Sequence, residues 1–236
     1  MCKFMTSPTR LIVGALLLIG LLPVSAFAFD SANPTFVHAM IGSAQFSEDD
    51  LTFAGTSSED DSATGYNDLS EMPYFGLAFQ HYFHGTDSAF GLDGGVLLGL
   101  KARDTRAVGG SGQIAIAVDS ELWLVDLSIG VFAEHTLAER WRFYIAAGPT
   151  IILGDYSEDI EEEHFATHEI TTSKDSDSQF SMGGYARAGV DYNFGYDSWI
   201  GLCVRGVKTN LEFDDAPNAS SGLSGGQAFI TFSRHF

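Results

Sequence analysis

The last ten residues, Gln227–Phe236, alternate between apolar and polar side chains, and this pattern limits the fold more than any other feature. One side of an extended strand carries Ala228, Ile230, Phe232 and Phe236, and the other carries Gln227, Thr231, Ser233 and His235. Successive side chains of a strand point to opposite faces, so one face requires apolar surroundings and the other polar ones. Arg234 departs from the pattern on the apolar face, but it lies near the end of the strand, where a long side chain can reach polar surroundings.

The first 28 residues have the pattern of a secretory signal peptide. Lys3 and Arg10 provide the positive region, Leu11–Val24 is apolar, and small residues precede a cleavage site after Ala28. The alternative is an uncleaved membrane anchor, for which the apolar run is short. We therefore expect two regions, a signal peptide at 1–28 and one domain at 29–236.

Composition excludes several classes of protein. The formal net charge of −19 would repel nucleic-acid phosphates, so no nucleic-acid partner is expected. Cys203 is the single cysteine after residue 28, which rules out an intramolecular disulfide in the processed chain. No later stretch is apolar for long enough to cross a membrane as a helix.

Alternation and turn residues predict an all-β chain of eight strands. The predicted strands are Thr35–Phe46, Tyr74–Phe83, Ala89–Ala102, Glu121–Glu134, Trp141–Leu153, Phe180–Phe194, Trp199–Leu211 and Ser224–Phe236. Most are long enough to cross a bilayer at a tilt, for which about 9–11 residues are needed. An alternative of ten strands adds Gln113–Val118 and His164–Thr172.

The connections between these strands alternate in length. Short turns at His84–Ser88, His135–Arg140 and Gly195–Ser198 separate long loops at Ser47–Met72, Arg103–Ser120, Gly154–Gln179 and Glu212–Leu223. This asymmetry, with an even strand number, predicts an antiparallel, up-and-down transmembrane β-barrel. Aromatic residues near strand ends predict an interfacial girdle of Phe83, Trp141, Phe194, Trp199 and Phe236.

The same alternation directs charged residues toward the barrel interior. The predicted lumen charges are Asp93, Lys101, Asp126, Arg142, Arg187, Asp191 and Arg205. An eight-stranded barrel is just wide enough to be filled by side chains, and an unpaired charge inside it is costly. We therefore predict a network of ion pairs that fills the lumen, with a narrow ion pathway as the alternative.

Two long loops are rich in carboxylates, as at Glu161–Glu163, and could collect divalent cations, although no spacing matches a calcium-binding loop. Within Glu163–Glu169, His164 and His168 are four residues apart. On a helix they would share a face and could hold a transition metal, while in a solvated loop they would not. We expect no specific metal site and no cofactor.

The turn-and-strand segment Leu137–Gly148, the strand end Gly189–Phe194 and the aromatic terminus resemble the small bacterial barrels of the outer-membrane protein A, outer-membrane protein X and opacity-protein group. The resemblance implies a monomer in the bacterial outer membrane, surrounded by lipid and lipopolysaccharide. It also implies delivery by periplasmic chaperones and insertion by the barrel-assembly machinery, which would read Ile230, Phe232 and Phe236. No peptidoglycan-binding domain is expected.

For function, the sequence favours a structural or surface-interaction role with acidic loops outside the cell. A narrow porin for small solutes or ions is the alternative, and a lipid-modifying barrel enzyme comes third. Barrel deacylases use a His-x-Ser pair, and no histidine here is followed two residues later by serine. We therefore expect no enzymatic activity and no catalytic residues.

Overall fold

The computed structural model describes residues 35–47, 51–56, 64–85, 88–109, 114–195, 197–211 and 222–236. The predicted signal peptide, the acidic residues at 48–50 and 59–61, and most of the loop predicted at Glu212–Leu223 lie outside these ranges. Within them, no helix is long and apolar enough to span a membrane.

Ten strands are described, and eight of them close into one antiparallel barrel. The strands are β1 (Thr35–Phe46), β2 (Thr52–Thr56), β3 (Thr64–Asp68), β4 (Glu71–Gly85), β5 (Ser88–Gly109), β6 (Ile114–Leu137), β7 (Trp141–His164), β8 (Glu169–Gly195), β9 (Ser198–Thr209) and β10 (Ser224–His235). The order around the barrel is β1-β10-β9-β8-β7-β6-β5-β4, and β2 and β3 form a separate two-stranded sheet. The prediction of an eight-stranded, up-and-down barrel is confirmed.

The first and last barrel strands close the ring. The backbone amide of Thr35 donates to the carbonyl of Phe236 at 3.0 Å, and the amide of Phe236 donates to the carbonyl of Thr35 at 2.9 Å. Antiparallel pairing continues through Ile41 opposite Ile230 to Phe46 opposite Gly225. On its other side, β1 pairs with β4 along its whole length except its last residue. We call the end with the termini and short turns the turn end, and the opposite end the loop end.

Two of the predicted long loops are instead mostly strand. Beyond the barrel, β5 continues to Gly109, β6 begins at Ile114, β7 continues to His164 and β8 begins at Glu169. Residues 102–109, 114–121, 154–164 and 169–178 thus form a four-stranded continuation, which we call the extended sheet. The ten-strand alternative is wrong, because its two added segments belong to β6, β7 and β8. Polar residues occupy both faces at the start of β8, which therefore lacks the apolar alternation that marks a barrel strand. At the start of β6, by contrast, Ile114, Ile116 and Val118 alternate and form a small buried cluster.

The hairpin of β2 and β3 lies in the loop predicted between the first two barrel strands. Leu51 and Leu69, on either side of it, are fully buried, and the Leu69 amide donates to the Leu51 carbonyl at 3.0 Å. The Arg103 guanidinium donates to the Asp68 carbonyl at 3.2 Å, which ties the hairpin to β5. Burial opposes ionisation of Asp68, but hydrogen bonds from the side chain and backbone of Ser70 outweigh it. With Arg103 and Lys101 nearby, the pKa of this carboxyl is lowered below its ordinary value.

Two apolar clusters occupy the barrel interior. The upper cluster, at the loop end, consists of Met40, Ala44, Phe46, Leu51, Leu69, Met72, Tyr74, Ala78, Leu97, Leu122, Leu124, Ile152, Tyr156, Cys203, Val207, Leu211, Leu223 and Phe229. The lower cluster, toward the turn end, consists of Phe36, Tyr82, Ala89, Phe132, Ala146, Tyr185 and Trp199. Most of these side chains come from the inward face of barrel strands, so the barrel has a packed interior.

Glycine allows large aromatic rings to fit within this interior. Tyr74 lies directly opposite Gly99 across β4 and β5, and Tyr144 lies opposite Gly189 across β7 and β8. A Cβ atom at Gly99 would lie 2.2 Å from the Tyr74 ring, and one at Gly189 would lie 2.4 Å from the Tyr144 ring. Each ring therefore occupies the space that a neighbouring side chain would need.

Replacing one of these glycines should destabilise the barrel. In Gly189→Ala, the added methyl group would clash with the buried Tyr144 ring, and we expect the free energy of unfolding to fall by about 1–3 kcal/mol. The matched control is Gly206→Ala, because no atom lies within 4 Å of a Cβ placed at Gly206. This control should lose nothing, since alanine is usually the better residue within a strand. Urea unfolding of both variants in lipid vesicles measures the difference, and equal stabilities would contradict the packing described here.

Candidate functional site

The outer face of the barrel is covered with exposed apolar side chains. All eight barrel strands contribute at least one large apolar residue that is more than a third exposed, for example Ile41 at 67%, Ile145 at 64% and Leu202 at 62%. Such a continuous apolar surface is far larger than the patches that soluble monomers expose. The outer face thus fits an apolar environment and not water.

Aromatic residues mark both borders of this belt. Phe83, Trp141, Phe194 and Phe236 are exposed at the turn end, as the sequence predicts, and Phe75 and Phe180 are exposed toward the loop end. Trp199, predicted to belong to the girdle, is a correction. It is only 7% exposed and meets Phe36 edge to face at 5.6 Å in the lower cluster. Alternation along β9 places Trp199 on the same inward face as Arg205.

Six of the seven predicted lumen charges are buried inside the barrel. Asp93, Asp126, Arg142, Arg187, Asp191 and Arg205 are each at most 5% exposed. Lys101 does not join them, because it lies farther toward the loop end, opposite Leu122, with Asp68 as an electrostatic neighbour. The interior therefore holds three arginines, from β7, β8 and β9, together with three aspartates, from β5, β6 and β8.

Arg142 lies nearest the turn end. Its guanidinium forms an ion pair with Glu134, donates to Asp191 at 2.8 Å and also donates to the Gln80 side-chain oxygen. The Arg142 guanidinium carbon lies 4.3 Å from the centre of the Phe36 ring. The carboxylates therefore neutralise the charge of the Arg142 guanidinium, and the Phe36 ring packs against its flat face.

Arg187 and Arg205 are directly opposite each other on β8 and β9, and each forms an ion pair with a different aspartate. Arg187 pairs with Asp93, which also accepts hydrogen bonds from Tyr185 at 2.6 Å and from Gln80 at 2.9 Å. Arg205 contacts both carboxylate oxygens of Asp126, at 2.5 and 3.0 Å. Separate carboxylates offset the two neighbouring positive charges.

Two members of this network, Glu134 and His38, were not among the predicted lumen charges. Glu134 lies on the inward face of β6, where it pairs with Arg142 and accepts a hydrogen bond from the Tyr82 hydroxyl at 2.7 Å. Its position in the alternation, eight residues after Asp126, indicated an inward orientation. His38 is fully buried, contacts the Ser233 hydroxyl at 2.6 Å and lies 3.3 Å from the Gln80 side-chain oxygen. With Glu134 included and Lys101 removed, three guanidiniums meet four carboxylates.

The polar network alternates with apolar layers along the barrel. On β4, Gln80 lies between Tyr82 of the lower cluster and Ala78 of the upper cluster. On β5, Asp93 lies between Ala89 and Leu97 in the same way. Above the network, the upper cluster extends to the fully buried Leu51 and Leu69 beside the β2–β3 hairpin. The described interior thus contains a layer of packed apolar side chains between the network and the hairpin.

The extended sheet carries most of the acidic residues predicted in the third loop. On one face, Asp104, Asp119 and Asp159 lie opposite one another on β5, β6 and β7, and Lys174 on β8 pairs with Asp159 at 2.8 Å. A pocket with a volume of about 510 Å³ lies beside them. Among the described residues, no group of three or more histidine, cysteine or acidic side chains is arranged to hold a metal ion.

His164 and His168, which could have held a metal only on a helix, are not on a helix. His164 ends β7 and lies 3.0 Å from the Glu162 carboxylate, while His168 belongs to the turn before β8. The helical arrangement considered for this segment is therefore wrong. A turn of four residues directs the chain back, and His168 adopts a left-handed backbone conformation with φ of 53°.

The chain is similar to solved structures of membrane barrels. They include the attachment invasion locus protein Ail of Yersinia pestis (14% identity, 86% of this chain and 99% of that chain, TM-score 0.38) and Neisserial surface protein A (12%, 87% and 98%, TM-score 0.41). A third is the outer membrane protease OmpT of Escherichia coli (10%, 86% and 95%, TM-score 0.37). No protein-family model and no curated protein matches the chain. The fold of the chain follows from its own strand register.

Removing one member of a lumen ion pair should cost far more stability than removing an exposed one. Arg187→Leu leaves the buried Asp93 charge without its guanidinium, and we expect a loss of about 3–5 kcal/mol in the free energy of unfolding. The control, Lys174→Leu, removes a pair whose side chains are 69% and 50% exposed, with an expected loss below about 1 kcal/mol.

The double variant Arg187→Leu/Asp93→Leu tests whether the loss arises from the stranded charge. It should recover part of the loss, because neither charge is then left alone. Chemical unfolding in vesicles measures all three variants. Equal effects of Arg187→Leu and Lys174→Leu would contradict a buried network.

Proposed function

We propose that this protein is a sealed barrel of the bacterial outer membrane, with a structural and surface-interaction role, that holds an acidic sheet outside the cell. One observation carries the proposal: apolar side chains cover the outside of a closed ring of eight strands, while the charged network is enclosed within it. A soluble barrel would have the reverse distribution, with charges toward water.

The bilayer explains this distribution. Hydrocarbon provides no partner for backbone amides and carbonyls, so a sheet can cross it only as a closed barrel. The β1–β10 pairing closes this one, and the apolar belt with its aromatic borders fits the hydrocarbon core and its two interfaces.

The orientation follows from the difference between the two ends. In barrels of bacterial outer membranes the short turns face the periplasm and the long connections face outward. The loop end, with the extended sheet and the β2–β3 hairpin, would therefore face the surroundings of the cell. Export by the segment at 1–28 and insertion by the assembly machinery through Ile230, Phe232 and Phe236 are parts of the same proposal.

The lumen favours a structural role over a pore. Its guanidiniums are paired, and the upper cluster places apolar side chains above them. A narrow pore for ions or small solutes is the second candidate, because pairs that exchange partners could open a path through the network. We propose no catalytic step and no cofactor.

The partners that we propose are the lipid and lipopolysaccharide around the belt. Divalent cations are proposed as a loose counter-ion layer at the acidic sheet, not as ions held in a specific site. We also propose that the barrel acts as a monomer.

A sealed lumen predicts that the wild-type protein does not conduct. In planar bilayers, purified protein should give no stepwise current, whereas Arg187→Leu should leak because it disrupts the network that fills the lumen. The exposed-surface variant Lys174→Leu should remain silent and serves as the control. Regular conductance steps from the folded wild-type barrel would contradict the sealed lumen and favour the porin.

A further inference from the structure

Among the described strands, the first part of β8 has a sheet partner on only one side. Along β7 it is paired from Glu169 to Tyr192, but its pairing with β9 begins only at Gly183. In the parts of the chain that the structure describes, Glu169–Ser176 is thus an edge strand of the extended sheet. Eight residues of strand span about 26 Å.

This edge is accessible from both faces. All eight residues from Glu169 to Ser176 are exposed, although they alternate between the two faces of the sheet. The edge contains no proline and no bulge in its register with β7. Proteins commonly protect a sheet edge by such features, because an edge left open can accept another strand.

The chemistry around the edge favours a basic partner. Residues 157–176 contain seven carboxylates and one lysine, Lys174, which is already paired with Asp159. The edge strand itself carries mostly small side chains, and Glu161 on β7 lies directly opposite Thr172. A long basic side chain on an added strand could therefore reach over the edge strand to carboxylates of β7.

We propose that the Glu169–Ser176 edge binds an extended peptide segment rich in lysine or arginine as an additional strand. Main-chain hydrogen bonds to the edge provide the affinity common to strand addition, and the carboxylates select basic sequences. The proposal deepens the surface-interaction role above and rests on it. A second copy of this chain is disfavoured as the occupant, because its matching edge would bring the same acidic residues together.

The test uses the full-length protein in lipid nanodiscs and three capped, fluorescent decapeptides. The first alternates lysine and threonine, the second alternates glutamate and threonine, and the third is the lysine peptide with alternate backbone amides methylated. Methylation keeps the positive charge but removes the amides that an added strand needs. Fluorescence anisotropy measures the affinity of each peptide.

We expect the lysine peptide to bind, the glutamate peptide not to bind, and the methylated peptide to bind at least about tenfold more weakly. The variant Glu161→Gln/Asp175→Asn should weaken the lysine peptide about threefold to tenfold, as for two partly exposed ion pairs. The matched control, Glu139→Gln/Asp197→Asn, changes the net charge equally but lies in exposed turns at the turn end, at the opposite end of the barrel from the edge. It should leave the affinity within about twofold of wild type.

Three results would overturn the proposal: no binding of the lysine peptide, equal binding of the methylated peptide, or equal effects of the two double variants. The latter two would mean that charge attraction alone holds the peptide. None of them bears on the sealed barrel, whose test is bilayer conductance. Conversely, a conducting barrel that binds the lysine peptide with these preferences would overturn only the sealed lumen.

Discussion

The fold depends on complete backbone pairing around the ring. Once the Thr35 and Phe236 backbones pair, every barrel strand has a neighbour on each side, and the barrel presents no open edge to hydrocarbon. Closure then sorts the side chains, because alternation sends each residue either to the outer belt or into the lumen. The inside of the barrel is too narrow for a broad water column, so the charges that alternation sends inward must find partners there.

The three lumen arginines show how that requirement is met. Each binds a carboxylate from a different strand, and each has one such pair that connects residues far apart in sequence, as Arg187 and Asp93 do. Buried pairs of this kind need not stabilise a protein more than apolar residues of equal size would, but losing one partner is expensive. The network therefore fixes which side chains share the lumen, while the two apolar clusters fill the space around it.

The sequence predicts those parts of the structure in which the two faces of a strand differ. The alternation of β10 and the start of β7 at Trp141 follow directly from it. The sequence is less informative where both faces of a strand are polar. The start of β8 is rich in serine, threonine and aspartate, and its sequence therefore predicts a loop. Inward charges could be identified from alternation, but their pairing could not, because the pairs depend on the register of eight strands. Glu134 was omitted from the lumen charges and Trp199 was assigned to the girdle because both lie near turns. The alternation of β6 and β9 would have placed both side chains inside the barrel.

The central claim is that the chain folds with its apolar face outward and its ionic network inward, within a bilayer. Two tryptophans report on it, because Trp141 is 44% exposed on the outer belt and Trp199 is 7% exposed inside. Variants that keep only one of them, with phenylalanine at the other tryptophan positions, can be folded into vesicles whose acyl chains carry bromine, which quenches tryptophan fluorescence on contact. The account predicts strong quenching of Trp141 and little quenching of Trp199. Equal quenching of both, or quenching of Trp199 alone, would contradict it.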